Sequence, residues 1–86
     1  MYQGSVTDAE GEKLVSNVVM ILKGERESRD LSQRTLASKA GVDPKTISLI
    51  ERGHRSPTLF TLARIAGALD LKLSRIVDAA EAQLSV

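Results

Sequence analysis

The sequence predicts an all-α fold: five short helices forming one compact domain. Three observations carry this expectation. Each periodic segment spaces its apolar residues three and four apart, and none shows the alternation of a strand. Helix starters (Thr7, Ser32, Asp43-Pro44, Ser56-Pro57) and stoppers (Asp30, Gly41, Gly53, Asp70) punctuate the chain at short intervals. Its 86 residues make room for one small domain.

The elements follow in order. Met1 to Val6 shows no pattern, but Thr7-Asp8-Ala9-Glu10 has the form of a capping box and opens the first helix. Leu14, Val15, Val18, Val19, Ile21 and Leu22 give that helix a broad apolar face, and Asp30, which tolerates left-handed geometry, ends it. Ser32 precedes a second helix, Gln33 to Ala40, with Leu36, Ala37 and Ala40 inward and Gly41 as its stop. Asp43 caps a third helix that starts at Pro44 and runs to about Arg52, closed by Gly53. Ser56-Pro57 opens a fourth, with Leu59, Leu62, Ala63, Ile65, Ala66 and Leu69 inward and Asp70 closing it. A fifth starts near Lys72; its apolar positions Leu73, Ile76, Val77, Ala80 and Leu84 extend further than a five-helix core should need.

Composition removes whole classes of chemistry. There is no cysteine and a single histidine, His54, so a Cys/His zinc site, a disulfide framework and a thiol nucleophile are excluded. No catalytic residue, metal or cofactor is expected. Glu51 as a catalytic carboxylate is a poor alternative, because no second acid or nucleophile sits at a useful spacing. The longest apolar run, Val18 to Leu22, is far short of the ~20 residues that span a membrane, and the N-terminus lacks the order of a signal peptide. A cytoplasmic chain without membrane contact is the expectation. A domain this small buries only about 60 to 65% of its unfolded surface and is marginal as a monomer, which makes a homodimer plausible.

The formal net charge of +1 conceals an uneven distribution. Between Leu31 and Arg64 lie six basic residues (Arg34, Lys39, Lys45, Arg52, Arg55, Arg64) against Asp43 and Glu51, a local +4 that leaves −3 for the flanks. A basic middle suits a polyanion; a solvated mixed-charge surface explains it nearly as well.

The second and third helices, joined by a short turn containing Gly41, have the spacing of a helix-turn-helix. Ala37 allows close approach, Gly41 takes the left-handed turn, and Ile47 and Ile50 anchor the third helix to the core. With Ile47 at zero and 100° per residue, Ile50 falls at about 300° and Glu51 at about 40°, so the core lies near 330°. The opposite face, near 150°, holds Lys45, Ser48, Leu49 and Arg52, a surface suited to contact.

The ordered series Leu31-Ser32-Gln33, Leu36-Ala37, Lys39-Ala40-Gly41-Val42, Thr46-Ile47-Ser48, Ile50-Glu51-Arg52-Gly53, Arg55, Pro57-Thr58-Leu59 and Leu62-Ala63-x-Ile65-Ala66-x-Ala68-Leu69 resembles the Cro/C1-type (XRE-family) helix-turn-helix domain from about Leu22 to Val77. The resemblance implies a compact, five-helix, lambda-repressor-like fold. It also implies a transcriptional regulator, commonly a repressor, that binds double-stranded DNA as a homodimer with helix 44–52 in the major groove. Carried over residue by residue, Gln33 becomes a phosphate contact at the start of the second helix, where free N–H groups and Arg34 add positive potential. Arg55 and Thr58 clamp the backbone at the fourth helix, and Arg52 joins the phosphate contacts. Lys45, Thr46, Ser48 and Leu49 are the candidate base readers, Lys45 for guanine and Leu49 for a thymine methyl. For Leu49 the alternative is an ordinary exposed leucine, for Gln33 and Arg34 a solvated first turn, and for Arg55 a solvated surface. The chain departs from relatives with glutamines at the first turn of the recognition helix, carrying Pro44 and Lys45 there. Glu51 matches a glutamate that pairs with a first-helix arginine, here Arg26.

The expected organisation is an N-terminal segment at 1–11 that starts an extended first helix, the domain at 12–78 and a helical tail at 79–86. No separate effector fold is expected. The stripe Leu73, Ile76, Val77, Ala80 and Leu84 is the candidate dimer seam, with completion of the monomer core as the alternative. The rival function is an antitoxin or other protein-interaction module with an unknown protein partner.

Overall fold

The computed structural model describes residues 7–84, so the patternless start and the last two residues of the tail lie outside the described residues. The described chain is built from helices: α1 Asp8–Ser28, α2 Gln33–Ala40, α3 Pro44–Glu51, α4 Leu59–Ala68 and α5 Leu73–Leu84. The capping box forms as the sequence suggests. Thr7 Oγ1 accepts from the Glu10 N–H at 3.1 Å, and Glu10 Oε1 accepts from the Thr7 N–H at 3.2 Å.

One C-terminal device recurs four times. After α1, α2, α3 and α4 a left-handed residue reverses the chain: Asp30 (φ 55°), Gly41 (71°), Gly53 (76°) and Asp70 (57°). Each turn pairs a 6→1 bond with a 5→2 bond, the Schellman pattern, which satisfies helix-end carbonyls. The long bonds are Leu31 N–H to Arg26 O (3.1 Å), Val42 N–H to Ala37 O (3.0 Å), His54 N–H to Leu49 O (2.9 Å) and Leu71 N–H to Ala66 O (2.9 Å). Leu31, Val42 and Leu71, each following the left-handed residue, pack against the core, which is the apolar contact that accompanies the motif.

Leu36, Ile47 and Leu69 are the largest fully buried side chains, and Val18, Leu22, Ala37, Leu62 and Ile65 close around them. Two details of α4 differ from expectation. Thr58, not Ser56, is its N-cap, accepting from the Thr61 N–H at 3.0 Å, so Pro57 stands just outside the helix. Leu59 is 71% exposed, although its angle on the wheel is close to that of Ala66, because it sits on the first turn, off the end of the core. Ala63 is exposed as well, beyond the arc of Leu62, Ile65 and Ala66.

Two residues of the expected dimer seam lie inside the protomer. Ile76 and Ala80 are buried within the protomer, at 7% and 0% exposure, and Leu73 and Val77 pack partly against the same core, leaving Leu84 as a half-buried residue near the end of α5. The reason is the length of α1. Its 21 residues reach about 30 Å and lie along α5, where Asn17 Nδ2 donates to Ala80 O at 3.2 Å. The surplus apolar positions of α5 are thus covered by the surplus length of α1.

Candidate nucleic-acid interface

The exposed face of α3 is short and well anchored. Pro44 occupies the first turn, where a missing N–H costs nothing, and Asp43 caps it by accepting from the Lys45 N–H at 2.8 Å. Ile47 and Ile50, 1% and 4% exposed, pin the inner side. On the outer side Lys45 and Arg52 are exposed and Thr46, Ser48 and Leu49 are half-buried. Arg52 is the C-cap residue of α3, so the two cations stand at opposite ends of one helical face.

The turn into α3 is braced from α4. Gly41 lets the chain reverse, and Arg64 Nη1 donates to Ala40 O, the last residue of α2, at 3.1 Å. The Arg64 guanidinium lies 4.8 Å from the centre of the Phe60 ring, a cation–π distance. Nothing in the sequence pairs Arg64 with residues so far upstream, and this brace was missed.

Glu51 is the polar hub. Its carboxylate takes Arg26 Nε at 2.8 Å and Nη2 at 2.9 Å in a forked pair, with side chains only 10% (Arg26) and 7% (Glu51) exposed. The remaining nitrogen, Nη1, donates to Leu31 O at 2.7 Å, so one guanidinium joins the end of α1, the approach to α2 and the end of α3. The Glu51 hydrogen bonds hold the Arg26 guanidinium above its ordinary range, outweighing the lowering by burial. The structure therefore brings together the pair that the family resemblance implies. It adds a third member: Gln33 Nε2 donates to Glu51 Oε1 at 2.8 Å.

The other candidate phosphate residues border α3. Arg34 is exposed on the first turn of α2, whose cap Ser32 accepts from the Thr35 N–H at 3.0 Å. Arg55 is exposed and reaches back to α3, with Nη1 3.5 Å from Thr46 Oγ1. The Thr58 hydroxyl is taken up locally, capping α4 and bonding to Thr61 Oγ1 at 3.0 Å, so its side chain shapes the helix start. Beside it Leu59 and Phe60 are exposed. A groove of about 730 Å³ runs between the first half of α1 and the loop after α3, lined by Val15, Val19, Met20, Ile50, Arg55 and Pro57 among others. Among the described residues no three His, Asp or Glu side chains gather as a metal site, and no helix is long and apolar enough to cross a membrane.

A helix-turn-helix family model matches residues 22–76, from within α1 to within α5. This chain belongs to the Cro/C1-type helix-turn-helix family. Members of this family are helix-turn-helix transcriptional regulators, and the five-helix architecture is theirs. The chain is similar to the immunity repressor protein of Bacillus phage phi105, 41% identical over 56 residues that cover 65% of this chain and 39% of the repressor. It is also similar to antitoxin HigA1 of Mycobacterium tuberculosis, 32% identical over 77 residues, covering 90% of this chain and 50% of the antitoxin. A crystal structure of an HTH_3 family transcriptional regulator from Vibrio cholerae superposes with a TM-score of 0.70 at 37% identity, covering 91% of this chain and 42% of that one. The chain thus spans half or less of the length of these relatives. The family match begins at residue 22, beyond the first half of α1, which forms one wall of the groove.

Proposed function

We propose that this helix-turn-helix chain is a sequence-specific, double-stranded DNA-binding transcription regulator that acts as a homodimer with α3 in the major groove. The observation that carries the reading is the outer face of α3, anchored by buried Ile47 and Ile50 while Lys45 and Arg52 stand exposed. An α-helix fits the major groove of B-DNA, and exposed cations flanking a rigid helix suit its edges and phosphates. In this reading Lys45, Thr46, Ser48 and Leu49 read bases. Gln33, Arg34, Arg52 and Arg55 meet phosphates, while Thr58 sets the start of α4 and its free N–H groups. With much of the α5 stripe used inside the protomer, the large exposed apolar side chains available to a second copy among the described residues are Met20, Leu59 and Phe60.

The test is a fluorescence anisotropy titration against duplexes from upstream of the chain's own gene and against random duplexes, at about 50 and 200 mM salt. Tighter binding to one native duplex, weakening steeply with salt, is expected. Equal affinity for native and random duplexes overturns the sequence-specific reading. Sedimentation of the free and DNA-bound chain reports the dimer; one protomer per duplex overturns that part.

One observation favours a second reading, a toxin-binding antitoxin. The similarity to antitoxin HigA1 extends over 90% of the chain, beyond the helix-turn-helix match. Co-expression with the product of the adjacent gene tests it, and a stable complex formed without DNA binding would put this reading first.

A further inference from the structure

We propose that Glu51 is a positioning residue for DNA binding, orienting the Gln33 side-chain amide so that one N–H is presented to a phosphate. The inference rests on the reading of Gln33 as a phosphate contact and explains what makes that contact directional. A glutamine amide has two nearly isosteric ends, one donating and one accepting, and only the donating end can meet an anion. A free side chain samples both. Here the partner decides between them, because an ionised carboxylate only accepts. Glu51 Oε1, 2.8 Å from Gln33 Nε2, selects the NH2 end and uses one of its two N–H groups. The second stays available for phosphate.

Two features of the site make this arrangement workable. The charge of Glu51 does not oppose an approaching phosphate, because Arg26 neutralises it through two bonds of 2.8 and 2.9 Å. Glu51 is also held in place, since its side chain is 7% exposed and its partner Arg26 is tied to Leu31 O just ahead of α2. At the first turn of α3, Pro44 and Lys45 have no side-chain acceptor to do the same work. The acceptor comes instead from its last turn, and the ion pair that fixes three helices also fixes the donor on the DNA side.

The experiment uses the full chain and a fluorescein-labelled random-sequence duplex of about 30 base pairs, because a phosphate contact weakens all sequences alike. Gln33→Ala is expected to lower affinity by about three- to tenfold, the loss of one hydrogen bond. The log–log salt slope should not change, because no cation is removed. Glu51 is tested by the paired replacement Arg26→Met and Glu51→Leu, since exchanging a buried ion pair for apolar residues is often neutral for stability whereas removing one partner is not. The paired variant should lose part of the Gln33→Ala factor, because an unheld amide still reaches phosphate in a fraction of its orientations, and adding Gln33→Ala to it should cost less than it does in wild type.

If Gln33→Ala retains its full effect in the paired background, Glu51 does not position it and the proposal fails. If Gln33→Ala binds like wild type, the proposal fails while DNA binding stands; if wild type binds no duplex, both fall. Should the paired variant not fold, as judged by circular dichroism, the side-chain amide of Gln33 in the wild-type NMR spectrum decides. Its two protons should be widely separated compared with those of exposed Gln83, and both should shift on adding duplex. A Gln33 amide indistinguishable from that of Gln83 overturns the proposal.

Discussion

Gly41 and Gly53 occupy the same position in two copies of one turn, and they should respond differently to the same substitution. Both have left-handed φ, 71° and 76°, which costs an L-residue about 1–2 kcal/mol. Part of that is returned because alanine restricts the unfolded chain by about 0.4–1 kcal/mol. At Gly53 a new Cβ meets nothing within 4 Å, so Gly53→Ala should destabilise by about 1 kcal/mol. At Gly41 the same Cβ lies 2.9 Å from Arg64 Nη1. That nitrogen is the flexible end of a long side chain and can retreat, but in retreating it gives up its bond to Ala40 O, adding about 0.5–1.5 kcal/mol. Gly41→Ala should therefore cost about 2 kcal/mol, near 1 kcal/mol more than Gly53→Ala. For a chain of this size that difference separates the melting temperatures by about 4–8 °C. Urea unfolding of both variants, alone and with Arg64→Ala, measures it. In the Arg64→Ala background the excess at Gly41 should vanish. Equal costs at the two glycines, or an excess that survives loss of Arg64, would refute the brace.

The two aspartates in the equivalent turns give the opposite sign: Asp70→Gly removes left-handed strain at φ 57° and should stabilise by up to about 1 kcal/mol, read as a raised urea midpoint at unchanged slope. Ile76→Ala should cost about 2–5 kcal/mol through a cavity between α5 and α1, with a melting temperature lowered equally at low and high protein concentration. A loss seen only at low concentration would return Ile76 to a subunit interface. On DNA, Arg55→Ala should weaken all duplexes and reduce the salt slope by about 0.9, whereas Lys45→Ala should relax one base preference by about 1–3 kcal/mol. Uniform effects of both substitutions on every duplex would collapse the distinction between readers and clamps.

The parts of this molecule that follow local rules were legible in the sequence. Capping depends on residues three positions apart, so Thr7 with Glu10 announced α1; a left-handed turn depends on the residue that tolerates it, so Asp30, Gly41, Gly53 and Asp70 marked four helix ends. The face of α3 followed from its wheel, because Ile47 and Ile50 fix which side is inward. The start of α4 misled because Ser56-Pro57 and Thr58 both suit a helix entrance, and only the bond from the Thr61 N–H chooses Thr58.

What covers the α5 stripe was less legible, for a different reason. An apolar stripe states that a face is buried and is silent about what buries it. Ile76 and Ala80 required a partner, and the sequence contained one at the far end of the chain: the surplus turns of α1, carrying Leu14, Val18 and Ile21. Two excesses joined across 63 positions by the Asn17–Ala80 bond cancel in three dimensions. The same logic governs Gln33. Its position at a helix start was visible, but its orientation is set by a carboxylate 18 residues away that is itself held by an arginine 25 residues before it. In a domain this small, a functional side chain is held from two or three helices at once, so its direction belongs to the packing while its identity belongs to the local sequence.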